Sequence, residues 1–391
     1  MKASMYIYPW DIIDYGVEPC LDLLKSLGVD QVSVAVNYHT AKLLLPHNPK
    51  RSVYFTEPGL LYFRPDRLYY DGPLRPEEAS LTKGSEFLAG LIEAAGRTDI
   101  DVIAWIVCMH NSRLGFAFPE VTVETALGDR LLHTFCPVNP HTRAYVRGIV
   151  TDLNARFDIT AFELESATFM GYFHGYHHEI SGIDLTPSLD FLLSLCFCSS
   201  CIKDAGGEGI DCEKLRKNVS DAVRSELDRA GSLPADPHDL PEAVPGLGEF
   251  IEWRKRAIAG LVGTIKSEAC MGRELITIAT VFPPNADAGL VNGADPVRLS
   301  SVCDTVAVSG YFSEPEALKN DLDTLASSGI TFENYRAGLR PQAPDSYDYL
   351  NFLAKLRILK ARSFGAAAMY NFGTMRASTF DWIRRGLEEI R

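Results

Sequence analysis

Three thiols stand within six residues in Cys196-Phe197-Cys198-Ser199-Ser200-Cys201. This spacing lets one turn wrap its sulfurs around a tetrahedral metal such as zinc, with either Cys212 or Cys136 of Phe135-Cys136-Pro137 free to supply a fourth ligand. Two carboxylates suggest a second chemistry. Glu165 closes the apolar run Thr160-Ala161-Phe162-Glu163-Leu164-Glu165, and Glu333 closes Thr331-Phe332-Glu333. Glycoside cleavage needs one carboxyl group kept protonated for the leaving oxygen and another kept ionised to attack the anomeric carbon or activate water. Glu163, two residues earlier on the same strand face, competes with Glu165 as a deeper acid.

Other apolar runs carry or end in residues suited to a sugar. These are Trp10 and Asp11, then Asn37, Tyr38 and His39, then Trp105, His110 and Asn111, then Tyr311, Arg336, Tyr370 and Asn371. Aromatic faces stack on the C–H faces of a pyranose, while directed polar groups meet its hydroxyls. His174-Gly175-Tyr176-His177-His178-Glu179 reads as a sugar-contacting loop through His174, His177 and His178. With His39, His110 and Glu165, the same histidines could instead hold a catalytic metal.

The elements that would position these residues alternate along the chain. Strands are predicted at Met5–Trp10, Gln31–Asn37, Val102–Met109, Thr160–Glu165, Leu275–Phe282, Thr305–Tyr311, Thr331–Asn334 and Ala366–Asn371, with segments of helical period between them. Helices are read at Val17–Leu27, stopped by Gly28, and at Glu86–Ala95, Thr142–Asn154, Glu249–Ala269, Glu316–Ser327, Tyr347–Arg362 and Thr379–Ile390; Asn139-Pro140 offers an N-cap with proline in the first turn. Eight such units predict an α/β fold, a (β/α)8 TIM barrel forming a single domain over residues 1–391. An open doubly wound sheet would place a glycine-rich phosphate loop after its first strand, and none is present, so no organic cofactor is expected. Long insertions at 38–83 and 166–247 follow strands 2 and 4, on the rim where a barrel builds its site. The stretch 166–195 is expected to cover the mouth, with Tyr172 and the three histidines facing inward.

The cysteine segments and strand-end acids together resemble the family 42 β-galactosidases, in which a cysteine ahead of the fourth strand joins a later Cys-x-Cys-x-x-Cys turn on one structural zinc. The resemblance covers about a quarter of the chain. It implies Cys136, Cys196, Cys198 and Cys201 as the zinc ligands, Glu165 as acid/base and Glu333 as nucleophile of a retaining hydrolysis. The sequence departs from that family at Leu164, where an asparagine usually precedes the acid/base.

Composition narrows the partners. The 391 residues carry 51 acidic and 38 basic side chains, a formal charge of -13, which repels nucleic acid and anionic membranes and suits a small carbohydrate. No run approaches the roughly 18 apolar residues of a membrane span, and Met1-Lys2-Ala3-Ser4-Met5 lacks a signal-peptide pattern, so a cytoplasmic protein is expected. A homo-oligomer is compatible with this composition. The expected activity is that of a glycoside hydrolase; a metal-dependent sugar isomerase or lyase and a non-catalytic sugar-binding barrel are the rival readings.

Overall fold

The computed structural model describes residues 1–173, 179–280 and 282–391. Eight parallel strands close into a barrel: β1 (Lys2–Ile7), β2 (Gln31–Ala35), β3 (Asp101–Val107), β4 (Ala161–Glu165), β5 (Glu274–Ile278), β6 (Thr305–Ser309), β7 (Tyr335–Leu339) and β8 (Ala366–Met369). Each pairs with its sequence neighbours, and β8 returns to β1 through Lys2 opposite Ala366 and Met5 opposite Met369. The (β/α)8 expectation therefore holds, and every C-terminal strand end lies on one rim.

Alternation along each strand sorts the side chains. Met5, Ile7, Val32, Val34, Phe162, Leu164, Leu275, Val306, Ala337 and Leu339 belong to the large apolar cluster shared with the surrounding helices. Inside the barrel, Ile103, Ala161, Ile276, Ile278 and Ala307 form a small apolar cluster of their own. They share the interior with a polar layer. Arg336 on β7 donates to Ser4 Oγ at 2.6 Å and Ser33 Oγ at 2.8 Å, and lies 3.6 Å from Glu163 Oε2 on β4. The Tyr6 hydroxyl donates to Glu163 Oε1 at 2.6 Å, and the Arg336 guanidinium sits over the Tyr6 ring at 5.2 Å. A buried pair like this one ties four strands across the barrel axis.

Helix termini follow the expected punctuation in several places. Val17–Ser26 is followed by Gly28 at φ 83°, and Asn139 caps Pro140–Arg156 by accepting from His141 N at 2.9 Å. Most strands end two to four residues before the expected position, and at two of them, β1 and β7, the difference relocates expected site residues. β1 ends at Ile7, so Pro9 starts a helix at Pro9–Tyr15 that takes Trp10 and Asp11 away from the strand end. The seventh strand is Tyr335–Leu339 rather than Thr331–Asn334, because Arg336 and Gly338 are interior residues and not loop residues.

Residues 38–83 contain an antiparallel hairpin of Lys42–Leu44 and Val53–Phe55 and a single 3-10 turn, Arg67–Tyr69. This segment packs Leu45 and Tyr62 onto Tyr8, Trp10 and Tyr38 in an aromatic cluster above strands 1 to 3. Between β4 and β5 lie the helices Pro187–Leu193, Ser199–Gly207, Cys212–Asp228 and Leu247–Glu268, among shorter turns. No helix of the described residues is long and apolar enough to cross a membrane.

Candidate active site

A cavity of about 270 Å³ opens at the C-terminal rim. Glu165, the last residue of β4, lines it together with Tyr6, Tyr38, His39, Trp105, Tyr311, Arg340 and Tyr370. The register explains how Trp105 meets Glu165: Trp105 pairs with Glu163, and its indole reaches one inward position further to donate Nε1–H to Glu165 Oε2. Burial pushes the Glu165 carboxyl up from 4.5 to about 7; the Trp105 N–H opposes the rise and the Glu163 charge adds to it. A carboxyl with its pKa near 7 keeps a substantial protonated fraction at neutral pH and can give that proton to a leaving group.

Around the acid the side chains are aromatic and protonated. The hydroxyls of Tyr8, Tyr38 and Tyr370 form a triangle with sides of 2.8, 2.8 and 3.2 Å. Burial holds Tyr6, Tyr8, Tyr38 and Tyr311 well above the ordinary tyrosine value and raises Tyr370 as well, so these phenols are hydrogen-bond donors at neutral pH. His39 stacks on Tyr38 at 4.2 Å and on His110 at 4.3 Å. Burial lowers the His39 pKa, and its Nδ1 lies 2.9 Å from the Thr40 carbonyl, which fixes Nδ1 as the protonated nitrogen. At the end of β7, Arg340 lies over the Tyr311 ring at 4.1 Å and is paired with Asp345.

Several expected residues are elsewhere. Glu333 is exposed and precedes β7, at the N-terminal end of the barrel. The five residues of β7, rising about 3.3 Å each, keep it roughly 13 Å or more below the rim that carries Glu165. It shares no cavity with Glu165, and Arg340 occupies the strand end where Glu333 was expected. Arg336 is likewise no rim residue but part of the interior layer. Trp10 is buried between Tyr8 and Tyr54, both at 4.4 Å. Asp11 is buried against Gly373, where an added Cβ would lie 2.2 Å from its carboxylate oxygen, and burial pushes it up from 3.8 to about 7.

The asparagines serve the backbone. Asn37 donates to Val107 O at 2.8 Å and accepts from Val107 N at 2.9 Å, Asn111 caps Ser112–Ala117 and Asn371 accepts from Gly373 N at 2.9 Å. Leu164 points outward into the helix-facing cluster. The structure thus brings together Tyr38, His39, Trp105, Glu165, Tyr311 and Tyr370, with His110 behind His39. Sequence reasoning missed Tyr6, Ser309, Gly338 and Arg340, all lining the cavity. The signal for the last two was the stretch Gly338-Leu339-Arg340-Pro341, whose proline marks a strand end.

Tyr172 lines a separate, more apolar cavity of about 410 Å³ with Phe116, Leu131, His133, Phe173 and Ile180. His174, His177 and His178 lie outside the described residues. A groove of about 910 Å³ runs between the helices Cys212–Asp228 and Leu247–Glu268, bordered by ion-paired Glu208 and Arg256; it offers neither an enclosed acid nor an aromatic wall.

Cys136, Cys196, Cys198 and Cys201 are buried, with sulfurs all within 4.8 Å of one another, and could hold a metal ion. Among the described residues no other group of three or more histidines, cysteines or acids could do so. The Cys136–Cys201 and Cys136–Cys198 separations of 3.4 and 3.6 Å are too long for disulfides. They approach the edge of about 3.8 Å of a tetrahedron with metal–sulfur bonds of about 2.3 Å. Cys212 lies outside the group; Cys20, Cys108 and Cys270 are buried as expected, whereas Cys303 is partly open.

No protein-family model and no curated protein matches the sequence. Solved structures do share the fold. The glycoside hydrolase domain of PgaB (BpsB) from Bordetella bronchiseptica is similar at TM-score 0.61 with 12% identity, over 98% of each chain. The β-galactosidase from the psychrophilic Marinomonas ef1 follows at 0.58 with 11% identity, over 100% of this chain and 59% of that one. The catalytic domain of β-amylase from Paenibacillus polymyxa has 0.56 with 9% identity, over 100% and 98%. At such identities the likeness is one of architecture.

Proposed function

We propose that the chain is a glycoside hydrolase acting on a small carbohydrate, with Glu165 as the general acid. One observation carries the reading: the Glu165 carboxyl ends β4 in an aromatic-lined rim cavity, with its pKa raised to about 7 by burial. Trp105 holds that carboxyl in place, Tyr38, Tyr311 and Tyr370 offer donors to sugar hydroxyls, and the ring faces suit a pyranose. The fold shared with glycoside hydrolases supports the same reading.

The four-cysteine group is proposed to hold a structural zinc. Arg254 supports this assignment: it is fully buried, donates to the Leu290 and Val291 carbonyls at 3.0 Å, and lies near enough to Cys196 and Cys201 for charge on those sulfurs to act on it. A zinc held by four thiolates carries two negative charges, which a buried guanidinium offsets. Bound there, the metal would cross-link the segment after β4 to Cys136 and leave no open coordination position.

Arg340, standing where a second carboxylate was expected, keeps one other reading alive, a barrel that binds sugars without cleaving them. A panel of aryl glycosides incubated with the wild type and Glu165→Gln separates the two. Turnover by the wild type that the variant loses supports the hydrolase; binding of sugars by calorimetry with no turnover on any glycoside supports the binding barrel.

A further inference from the structure

Among the described residues lining the cavity around Glu165, Arg340 is the one cation at neutral pH, since burial lowers the pKa of His39. It directly follows β7, and its guanidinium lies over the Tyr311 ring at 4.1 Å and meets Asp345 Oδ2 through Nε. Among the described residues, its two terminal nitrogens donate to no protein group, and the side chain is 32% exposed. The charge faces the cavity. Arg340 lowers, and Glu165 raises, the proton affinity of both the Tyr311 and the Tyr370 hydroxyls, so cation and acid stand within reach of the same two phenols.

Asp345 does not use up this charge. It is buried, and Lys355, also buried, donates to its backbone carbonyl and to Ser346 Oγ at 3.2 Å. Burial lowers Lys355 from 10.5 to about 8, with the Asp345 charge opposing, so the amine is protonated at neutral pH. Two cations therefore share one carboxylate at the end of β7. Glu314, the other acid acting on Lys355, is exposed, and water and salt screen it. The same screening, over about 8–10 Å, keeps the chain's distant exposed acids from deciding what binds against Arg340.

The free edge of an arginine presents parallel N–H donors that match two oxygens of a carboxylate, phosphate or sulfate. Size selects among these. At about 270 Å³ the cavity is at the small end of ligand pockets and leaves little room beyond one sugar residue. A uronic carboxylate replaces a hydroxymethyl group at nearly the same volume, whereas a phosphate or sulfate ester adds a whole tetrahedral group. We infer that the sugar held beside Glu165 carries a carboxylate, making the substrate a glycoside of a uronic acid, and that Arg340 binds this carboxylate through its terminal nitrogens. The inference rests on the reading of the chain as a glycoside hydrolase. Protonated Glu165 and the neutral phenols around it set no opposing charge against such a ligand.

The test uses the whole chain and both anomers of 4-nitrophenyl glucosides, galactosides and mannosides, each as the neutral hexoside, the uronide and the 6-phosphate. The kcat/KM of the best uronide is expected to exceed that of its neutral counterpart by ~10–100-fold, the worth of a charge-assisted hydrogen bond. Arg340→Gln should bring that ratio to ~1, and Arg340→Lys should keep part of it. Either variant perturbs the Tyr311 stacking, so the wild type is also inhibited with free sugars, glucuronate and galacturonate being expected to act more strongly than glucose and galactose. Equal or better turnover of neutral hexosides, a higher kcat/KM for the 6-phosphates, or a uronide preference that survives in Arg340→Gln would overturn the inference and leave the hydrolase reading standing. No turnover of any glycoside would overturn the hydrolase reading. Calorimetry with the free sugars would then decide the inference alone, tighter binding of the uronic acids supporting it and equal or weaker binding overturning it.

Discussion

Glu165→Gln should stabilise the folded protein at alkaline pH, whatever the substrate is. The wild-type carboxyl ionises near 4.5 in the unfolded chain and near 7 in the fold. Because its folded pKa is raised, its contribution to stability is fully present below pH 4.5 and is lost as the pH rises through 7. At about 1.4 kcal/mol per pH unit between those values, ionising the buried group costs about 3 kcal/mol by pH 9. The carboxyl faces a cavity that can hold water, so this figure is an upper bound. Glutamine keeps the shape and can still accept from Trp105, but it does not ionise. Urea unfolding of both proteins at pH 5 and pH 9 gives the answer. Asp11, also raised to about 7, is common to both and cancels in the difference. The variant is expected to match the wild type within about 1 kcal/mol at pH 5 and to exceed it by about 1–3 kcal/mol at pH 9. An equal gap at both pH values, or a variant less stable at pH 9, would refute the claim that burial holds this proton.

Trp105→Phe removes the donor that favours the ionised Glu165, so the alkaline limb of kcat/KM should move upward by about 1 pH unit, given about 1.5–3 kcal/mol for a charge-assisted bond partly replaced by water; a downward move in the pH–rate profile contradicts it. Arg336→Met strands Glu163 inside the barrel and should cost about 3–5 kcal/mol in urea unfolding, most of it recovered in the double variant with Glu163→Gln. Metal analysis of protein purified without added metal should give one equivalent of zinc per chain, reduced by more than half in Cys136→Ser, while Cys212→Ser keeps it.

The barrel was legible because seven of its strands are short apolar runs followed by helical periodicity, and the cysteine spacing was legible because thiols at such intervals have few other uses. The seventh strand hid itself. Its Arg336 and Gly338 read as loop residues, since only the folded barrel supplies the Glu163, Ser4 and Ser33 partners that let an arginine sit inside. The β-branched Thr331 and the aromatic Phe332 made the preceding turn look like a strand. That displacement moved Glu333 to the wrong rim and concealed Arg340 at the right one. A shorter error at β1, three residues, promoted Trp10 and Asp11 to the site although Pro9 starts a helix there. Asn37, Asn111 and Asn371 were chosen for their chemistry, which the fold spends on its own backbone.

The central claim is that Glu165 donates the proton to the leaving group, and the dependence of kcat/KM on leaving-group acidity tests it most directly. For a series of aryl glycosides, the wild type should show a shallow dependence. Glu165→Gln should show a steep one, losing ~10²–10⁴-fold on poor leaving groups and far less on activated ones. A loss of the same size across the whole series, or none at all, would contradict the assignment.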